Sequence, residues 1–269
     1  MIPAQFDYVR ADSTDHAIAL LAEHGDDAKL LAGGHSLLPM MKLRLAFPSV
    51  LIDVRRIAEA AYVRVEGDEV AIGALTRHRD LVTSEVLRAE APLLSMVASY
   101  VGDPQIRNRG TIGGSLAHSD PAADLPAAVL ASDATLIAQG PGGRRQIAAR
   151  DFFTGYFESA LAEGEMLVEV RVPRTGPAGA HYEKFTRRAN DWAIVGVAAV
   201  AGRVALANMG STPLRATAVE AALADGASIA DAAALAAQDT APVEDMNADA
   251  AYRRHLARVL TRRALTAAA

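Results

Sequence analysis

The sequence predicts an α+β protein of two domains, the first itself built of two subdomains. Three observations carry this reading. Residues 6–55 alternate short apolar runs with segments of helical spacing, a β-α-β-α-β pattern. From Tyr62 onward the apolar period drops to two, with turn residues between the runs. Thr175-Gly176-Pro177-Ala178-Gly179 is the best linker in the chain, and three strand patterns follow it with turns suited to an antiparallel meander. The length of 269 residues agrees, at roughly 150 residues per domain. The expected boundaries are 1–174 for the first domain, with subdomains of about 1–55 and 56–174, and 178–269 for the second.

Taken in order, Phe6 to Val9 reads as a first strand. Ser13 is placed to cap a short helix carrying Ile18, Leu20 and Leu21, which Gly25 ends. Lys29 to Ala32 reads as a buried strand running into Gly33-Gly34. Ser36 can cap the next helix, with Pro39 tolerated in its first turn and Leu37, Leu38, Met41 and Leu45 at helical spacing. Val50 to Val54 is the third strand. Tyr62 to Val65 and Val70 to Ile72 form a hairpin pattern, and Thr76 can cap a helix over 77–82. A helix opened by Pro92 runs to Val101. Asp124 to Ser132 is helical in tone, Ala134 to Ala138 and Gln146 to Ala148 are strands, and Met166 to Val172 is a strong strand ended by Pro173. After the linker, Tyr182 to Phe185, Ala193 to Val200 and Val204 to Ala207 make a three-stranded antiparallel sheet. Thr212-Pro213 starts a helix through Leu214 and Ala218. The stretch from Ile229 to Ala237 is weakly patterned. A last helix puts Tyr252, Leu256, Val259 and Leu260 on one side.

Composition narrows the chemistry. Apolar residues make up 51%, charged residues 22%, and the net charge is −5. A chain that gripped nucleic acid or an anionic membrane would carry a basic excess. The sequence holds no cysteine, so disulfides, thiolate metal sites and iron–sulfur ligation within it are excluded. No charged segment followed by an apolar run opens the sequence, and no uncharged run approaches a membrane span, so the expectation is a cytoplasmic protein without a transmembrane segment.

Two Gly-Gly turns stand out: Leu31-Ala32-Gly33-Gly34-His35-Ser36 and Gly110-Thr111-Ile112-Gly113-Gly114-Ser115. Each lies between apolar segments and is followed by serine. A diphosphate needs several N–H donors at close range, and glycine removes the Cβ that would block the approach. If a turn opens a helix, the free N-terminal amides add to it. Either turn alone also serves simply as a tight bend. The pair together reads as two backbone cradles for one diphosphate, without saying which nucleotide carries it. No G-x-G-x-x-G, Walker A or H-E-x-x-H pattern is present. Asp120 and Asp124 lie near His118, but with no third histidine nearby they read as loop carboxylates. A triad of Ser36, His35 and Asp53 lacks the surroundings of a nucleophile elbow.

At these residues the sequence resembles the FAD-binding medium subunit of the molybdenum hydroxylases, of the carbon monoxide dehydrogenase type. The likeness is carried by residues 31–42, by 101–115 with Asp120-Pro121 and Ala123-Asp124-Leu125-Pro126, by 182–192, and by 210–216. The resemblance implies a vanillyl-alcohol-oxidase-like, PCMH-type FAD domain of two subdomains, followed by a smaller C-terminal domain. It implies that Ala32, Gly33, Gly34, His35 and Ser36, with Thr111, Ile112, Gly113, Gly114 and Ser115, wrap the FAD diphosphate and ribityl chain. Asp124 matches a cofactor-contacting position, Lys184 a residue near the flavin, and Val101 and Leu167 apolar positions lining the site. Trp192 either packs near the isoalloxazine or fills the domain seam. Ser115 stands where the family often has Asn, which keeps a hydrogen-bonding group but shortens its reach.

The implied function is electron transfer. A molybdenum-cofactor large subunit oxidises the substrate, a small 2Fe-2S subunit passes the electrons on, and the FAD here hands them to an external acceptor. The assembly implied is a dimer of heterotrimers. The absence of cysteine fits, since the clusters must be held elsewhere. No catalytic acid or base and no metal ligand is expected in this chain. One rival is a self-contained flavin dehydrogenase acting on a small alcohol or amine, and another is a cofactor-free structural subunit. Arg254, Arg258 and Arg262, with Arg253 and Arg263 beside them, read first as a solvated face and second as a docking face for an acidic partner. Arg107 and Arg109 read either as phosphate partners or as seam residues.

Overall fold

The computed structural model of the chain describes residues 2–177 and 179–269. Ala178, within the expected linker, lies outside the described residues, as does Met1. The chain opens with β1 (Asp7–Arg10), α1 (Thr14–His24), β2 (Ala28–Leu31), α2 (Leu37–Lys42) and β3 (Val50–Asp53). The three strands form a parallel sheet in the order β1-β3-β2. All four residues of β3 are buried, as a central parallel strand requires. Ser13 caps α1 by accepting from the His16 amide, and Gly25 closes it at φ 54°. Ser36 sits at the N-cap position of α2 but makes no capping bond. Leu45, expected on the apolar side of α2, falls beyond its end and is 69% exposed, because Arg44 turns the chain at φ 57°.

The second layer comprises β4 (Val63–Glu66), β5 (Glu69–Gly73), α3 (His78–Thr83), α4 (Glu85–Glu90), α5 (Pro92–Tyr100), α6 (Pro104–Arg107), α7 (Ile112–His118) and α8 (Asp124–Ala131). It continues with β6 (Thr135–Gly140), β7 (Gly143–Ala148), α9 (Ala149–Phe152), β8 (Phe153–Gly155), β9 (Glu158–Ser159) and β10 (Met166–Pro173). Strands β4-β5-β10-β6-β7 form one antiparallel sheet. Thr76 does not cap α3. Its hydroxyl instead accepts from the Tyr62 amide at 3.0 Å and donates to the Tyr62 carbonyl at 2.9 Å, pinning the entry to the hairpin. Every residue of α8 is buried, so this helix forms the centre of the protein.

The last part holds β11 (Ala180–Phe185), β12 (Val195–Val200), β13 (Arg203–Ala207), β14 (Leu214–Arg215), α10 (Thr217–Ala224), α11 (Ile229–Ala234) and α12 (Ala250–Ala267). The antiparallel sheet runs β11-β12-β13-β14, one strand more than the predicted meander. Leu214 and Arg215 pair with Leu206 and Ala205 instead of starting a helix. The Arg215 guanidinium holds them there by bonding both oxygens of Glu220 at 2.7 and 2.8 Å. All of β12 is buried, with α12 packed against it together with α5 and α8. One continuous core joins Leu94, Leu125 and Val170 to Tyr182, Ala198 and Ala205 of this sheet. The C-terminal sheet is therefore fixed against the first part, and β11 runs along the seam. Arg253 is no surface residue: it is 1% exposed and its Nη2 lies 2.7 Å from Asp245.

Candidate functional site

A cleft of about 610 Å³ runs from the first Gly-Gly turn, past the second, to the seam with the C-terminal sheet. This volume falls within the range of about 300–1,000 Å³ usual for cofactor sites. Of the residues singled out in the sequence, Ala32, Gly33, Gly34, His35, Ser36, Val101, Thr111, Gly113, Gly114, Ser115, Asp124, Leu167, Lys184 and Trp192 all line it. Ile112 does not. Its side chain is fully buried in the main core, because it is the first residue of α7 and points away from the cleft.

The two turns touch. A Cβ built on Gly33 would stand 2.6 Å from the Arg109 carbonyl oxygen and 2.7 Å from Gly110 Cα. One built on Gly114 would stand 3.8 Å from the Ala32 Cβ. The bare glycine at 33 is what lets the two backbones meet, and the cleft forms along their contact.

The turns are not alike in the amides they leave open. Among the described residues, the amides of Ala32, Gly33, Gly34, His35 and Ser36 donate to no other group of the chain. They are free for a ligand. In the second turn most amides are spent, and among the described residues only that of Thr111 donates to no other group of the chain. Ile112 donates to the Thr76 carbonyl at 3.0 Å, Gly113 to Ala74 at 2.8 Å, and Ser115 to Thr111 at 3.0 Å. The Gly114 amide donates to Thr111 Oγ1 at 3.2 Å. The cause is local: Thr111 is the N-cap of α7, and the start of that helix docks on the residues leaving β5. A Cβ on Gly113 would meet the Ala74 carbonyl oxygen at 2.7 Å. The second pair of glycines thus serves close packing, and this turn contributes a wall, the side chain of Ser115, and the hydroxyl and open amide of Thr111.

Val101 and Gly102 reach the cleft because Arg107 clamps them. Its Nη1 donates to the carbonyls of Ser99, Val101 and Gly102 at 3.1, 3.0 and 2.9 Å. Arg107 is thereby a structural clamp, and neither it nor Arg109 lines the cleft. At the seam, Asp124 accepts from the Tyr182 hydroxyl at 2.6 Å on one oxygen and from Lys184 Nζ at 2.9 Å on the other. Lys184 also donates to the Tyr100 carbonyl at 3.1 Å. Both partners of this ion pair are nearly closed off, at 6% and 5% side-chain exposure. Burial pushes the Asp124 carboxyl upward, and the Lys184 charge and the two donors pull it back. Trp192 stands at the mouth, 58% exposed.

His78 was not anticipated, as nothing in its sequence neighbourhood marks it. Its amide donates to the Gly110 carbonyl at 2.9 Å. Its ring lies so close that a Cβ on Gly110 would stand 2.7 Å from both Cδ2 and Nε2. The ring therefore backs the contact between the turns, and its Nδ1 is enclosed without a partner. Burial, with His35 and Arg107 adding to it, lowers its pKa from 6.5 to about 4. A base whose folded pKa is depressed costs stability as pH falls below its unfolded value. The chain should therefore lose stability between pH 6.5 and about 4. Urea midpoints across this range should show the His78→Leu variant losing less than the parent; equal losses would exclude His78 as the cause.

Comparison with known proteins bears on the whole chain. Residues 4–175 match the family described as FAD binding domain in molybdopterin dehydrogenase, and residues 180–268 match the CO dehydrogenase flavoprotein C-terminal domain. The chain is 44% identical to the carbon monoxide dehydrogenase medium chain of Hydrogenophaga pseudoflava, covering 100% of this chain and 98% of the relative. It is 42% identical to the 6-hydroxypseudooxynicotine dehydrogenase complex subunit alpha of Paenarthrobacter nicotinovorans, over 100% and 96%. Among solved structures, carbon monoxide dehydrogenase from H. pseudoflava contains a chain matching with a TM-score of 0.96 at 46% identity, over 100% and 98% of the two chains. Quinoline 2-oxidoreductase from Pseudomonas putida 86 contains one matching with a TM-score of 0.92 at 32% identity, over 100% and 98%.

Proposed function

The chain belongs to the FAD-binding medium subunits of the molybdenum hydroxylases, of the carbon monoxide dehydrogenase type, and from that premise we propose that it is the electron-transfer subunit of such a complex. It receives electrons from the 2Fe-2S clusters of a small partner and delivers them to an external acceptor. A large partner with the molybdenum cofactor oxidises the substrate. The assembly we propose is a dimer of heterotrimers in the cytoplasm; among the described residues no helix is long and apolar enough to cross a membrane.

The observation that carries this reading is the run of free amides from Ala32 to Ser36 beside a glycine contact that a Cβ would fill. That is the donor set a diphosphate needs, so the residues present fit FAD. When bound, FAD supplies the redox chemistry, accepting electrons singly and releasing them in pairs. The amides of residues 32–36 bind the diphosphate, and the hydroxyls of Thr111 and Ser115 serve the ribityl chain. Val101 and Leu167 form apolar walls that exclude water. Lys184 holds a positive charge at the seam end, aimed by Asp124, and favours added negative charge in the cleft. In domain terms, 1–174 supplies the cradle, and 178–269 supplies Lys184 and Trp192. Relatives of nearly equal identity carry the names of a carbon monoxide enzyme and of a nicotine-derivative enzyme. This supports a role that does not read the substrate.

The test is purification from the native source under mild conditions, followed by anaerobic titration of the separated chain. The chain is expected to show a flavin spectrum, to co-purify with molybdenum and iron–sulfur subunits, and to be reduced only when those are present. Direct reduction of the isolated chain by a small alcohol, amine or aldehyde would favour the self-contained enzyme. A colourless chain would favour the structural subunit.

A further inference from the structure

The segment His118-Ser119-Asp120 brings two titratable side chains to the cleft that the cradle does not use. A second cavity of about 260 Å³ opens beside the main cleft. Asp120, Phe157, Asp191 and Trp192 line both, so the two spaces share a wall. We propose that Asp120 is the proton carrier of the cleft, moving protons between water in the side cavity and the cofactor in the main cleft, with His118 tuning it. The proposal rests on the reading of the main cleft as the FAD site.

Flavin chemistry calls for such a group. Two electrons entering a flavin draw in at least one proton, and that proton leaves when the electrons do. A positioned side chain is the usual carrier. Other ionisable groups at the cleft are committed. Both oxygens of Asp124 are held, one by Tyr182 and one by Lys184. Glu165 is bound through both oxygens to Arg145. His78 is walled in behind the contact between the turns. Asp120 is only partly buried, and its Oδ1 accepts from the Ala122 amide at 2.9 Å. Among the described residues its Oδ2 has no partner.

The backbone fixes this carboxyl at the wall. Ser119 ends α7 in the left-handed region at φ 53°, which few residues other than glycine, asparagine and aspartate adopt. Its hydroxyl donates to the Leu116 carbonyl at 3.0 Å, and the Asn208 amide donates to the Pro121 carbonyl at 2.7 Å. The segment is thus pinned on both sides of Asp120. The His118 ring lies against Phe157, with centroids 5.0 Å apart. Burial pushes the Asp120 carboxyl above its ordinary 3.8 and the His118 imidazole below 6.5, so the two values approach each other. A carboxyl raised toward working pH gives and takes a proton more readily. Of the other charges around it, Asp124 is paired with Lys184 and Asp245 with Arg253. Arg187 and Asp191, on the side cavity, are one charge of each sign. That cavity has a polar lining in Arg187, Asn208 and Asn247, and it has room for several water molecules at about 30 Å³ each.

The step balances. As two electrons enter the cofactor, the Asp120 O–H bond breaks and its proton bonds to a flavin ring nitrogen. The carboxylate left behind takes one proton from solution through the water of the side cavity. When the electrons leave, the same proton returns by the reverse route.

The first test mixes the reduced, flavin-loaded chain rapidly with ferricyanide. Ferricyanide takes electrons and no proton, so an indicator dye in weak buffer follows the proton released. Asp120→Asn keeps an acceptor for the Ala122 amide but carries no proton. It is expected to slow the release about a hundredfold, at the lower end of what a positioned acid or base contributes, with flavin content unchanged. Formate is expected to restore the rate in Asp120→Ala by standing in for the lost carboxyl. Asp191→Asn, on the same wall, should release at the parent rate. An unchanged rate in Asp120→Asn, a slowing in Asp120→Ala that formate does not relieve, or an equal slowing in Asp191→Asn would overturn the proposal.

The second readout needs no cofactor. Trp192 is the only tryptophan in the sequence and stands on the shared wall with Asp120. In the cofactor-stripped chain its fluorescence is expected to show a protonation step above pH 3.8. Asp120→Asn should remove that step and Asp191→Asn should leave it. His118→Gln should move it upward, because the His118 charge pulls the Asp120 carboxyl down. A step that survives Asp120→Asn would overturn the assignment. A chain that never retains flavin defeats the reading of the cleft, whereas one that retains flavin and fails either readout defeats the proton carrier alone.

Discussion

Gly33→Ala is expected to release FAD while leaving a folded chain. The added Cβ would stand 2.6 Å from the Arg109 carbonyl oxygen and 2.7 Å from Gly110 Cα. Both are backbone atoms, which cannot rotate away, so the two turns must part. Such overpacking costs about 1–3 kcal/mol of stability, a fraction of what a domain of this size holds. The effect on the ligand is larger. Charge-assisted bonds from the freed amides are worth about 1.5–3 kcal/mol each, and misaiming two of them weakens binding by about a hundredfold or more. Gly142→Ala is the control, since a Cβ there meets nothing within 4 Å, and it should retain flavin fully. Gly114→Ala should fall between them, because its Cβ meets the rotatable Thr111 hydroxyl at 2.9 Å. The flavin-to-protein absorbance ratio after gel filtration ranks the three. A Gly33→Ala chain with full flavin would sink the cradle.

That ranking shows what the sequence made legible. Both Gly-Gly turns are visible from local chemistry, because a tight bend beside an apolar run leaves a signature within a few residues. Their different roles leave none. Two amides of the second turn, those of Ile112 and Gly113, are taken by Thr76 and Ala74, which lie well over 30 residues earlier and meet it only once β5 is in place. From composition alone Gly33 and Gly114 look equivalent; in the fold, one faces backbone and the other a hydroxyl. The same distance in sequence hides His78 and the Arg107 clamp. It also explains Thr76, a good cap by pattern, whose hydroxyl is claimed by Tyr62. Strands were more readable than helix starts, as β10 and β12 show, because a fully buried strand advertises itself by apolarity at every position. β14 was missed because two residues carry no period, and what holds them is the Arg215–Glu220 pair.

Lys184→Met is expected to cost about 3–5 kcal/mol, the usual penalty for leaving one partner of a buried ion pair alone. Asp124 is 5% exposed and would keep only the Tyr182 hydroxyl as a donor. The penalty should depend on pH with a definite sign. Burial already pushes the Asp124 carboxyl above its ordinary value of 3.8, and Lys184 is the charge that pulls it back. Removing that charge raises it further. An acid whose folded pKa exceeds its unfolded one binds its proton more tightly in the native state, so stability falls as pH rises through the folded value. The deficit of the variant against the parent should therefore be largest at neutral and alkaline pH and should narrow on acidification, as the lone carboxyl takes up a proton and becomes neutral. Urea unfolding of cofactor-stripped chains across that range measures it, and a deficit that stayed flat or grew in acid would show that Lys184 stabilises by packing alone. Asp124→Asn with Lys184→Met should recover part of the loss, since no unpaired charge remains. Tyr182→Phe should cost less than either single change, because the pair survives it. If this order holds, the C-terminal sheet owes its seat on α8 in part to one salt bridge, and the cation at the cleft is held in place by the same contact that joins the two parts of the chain.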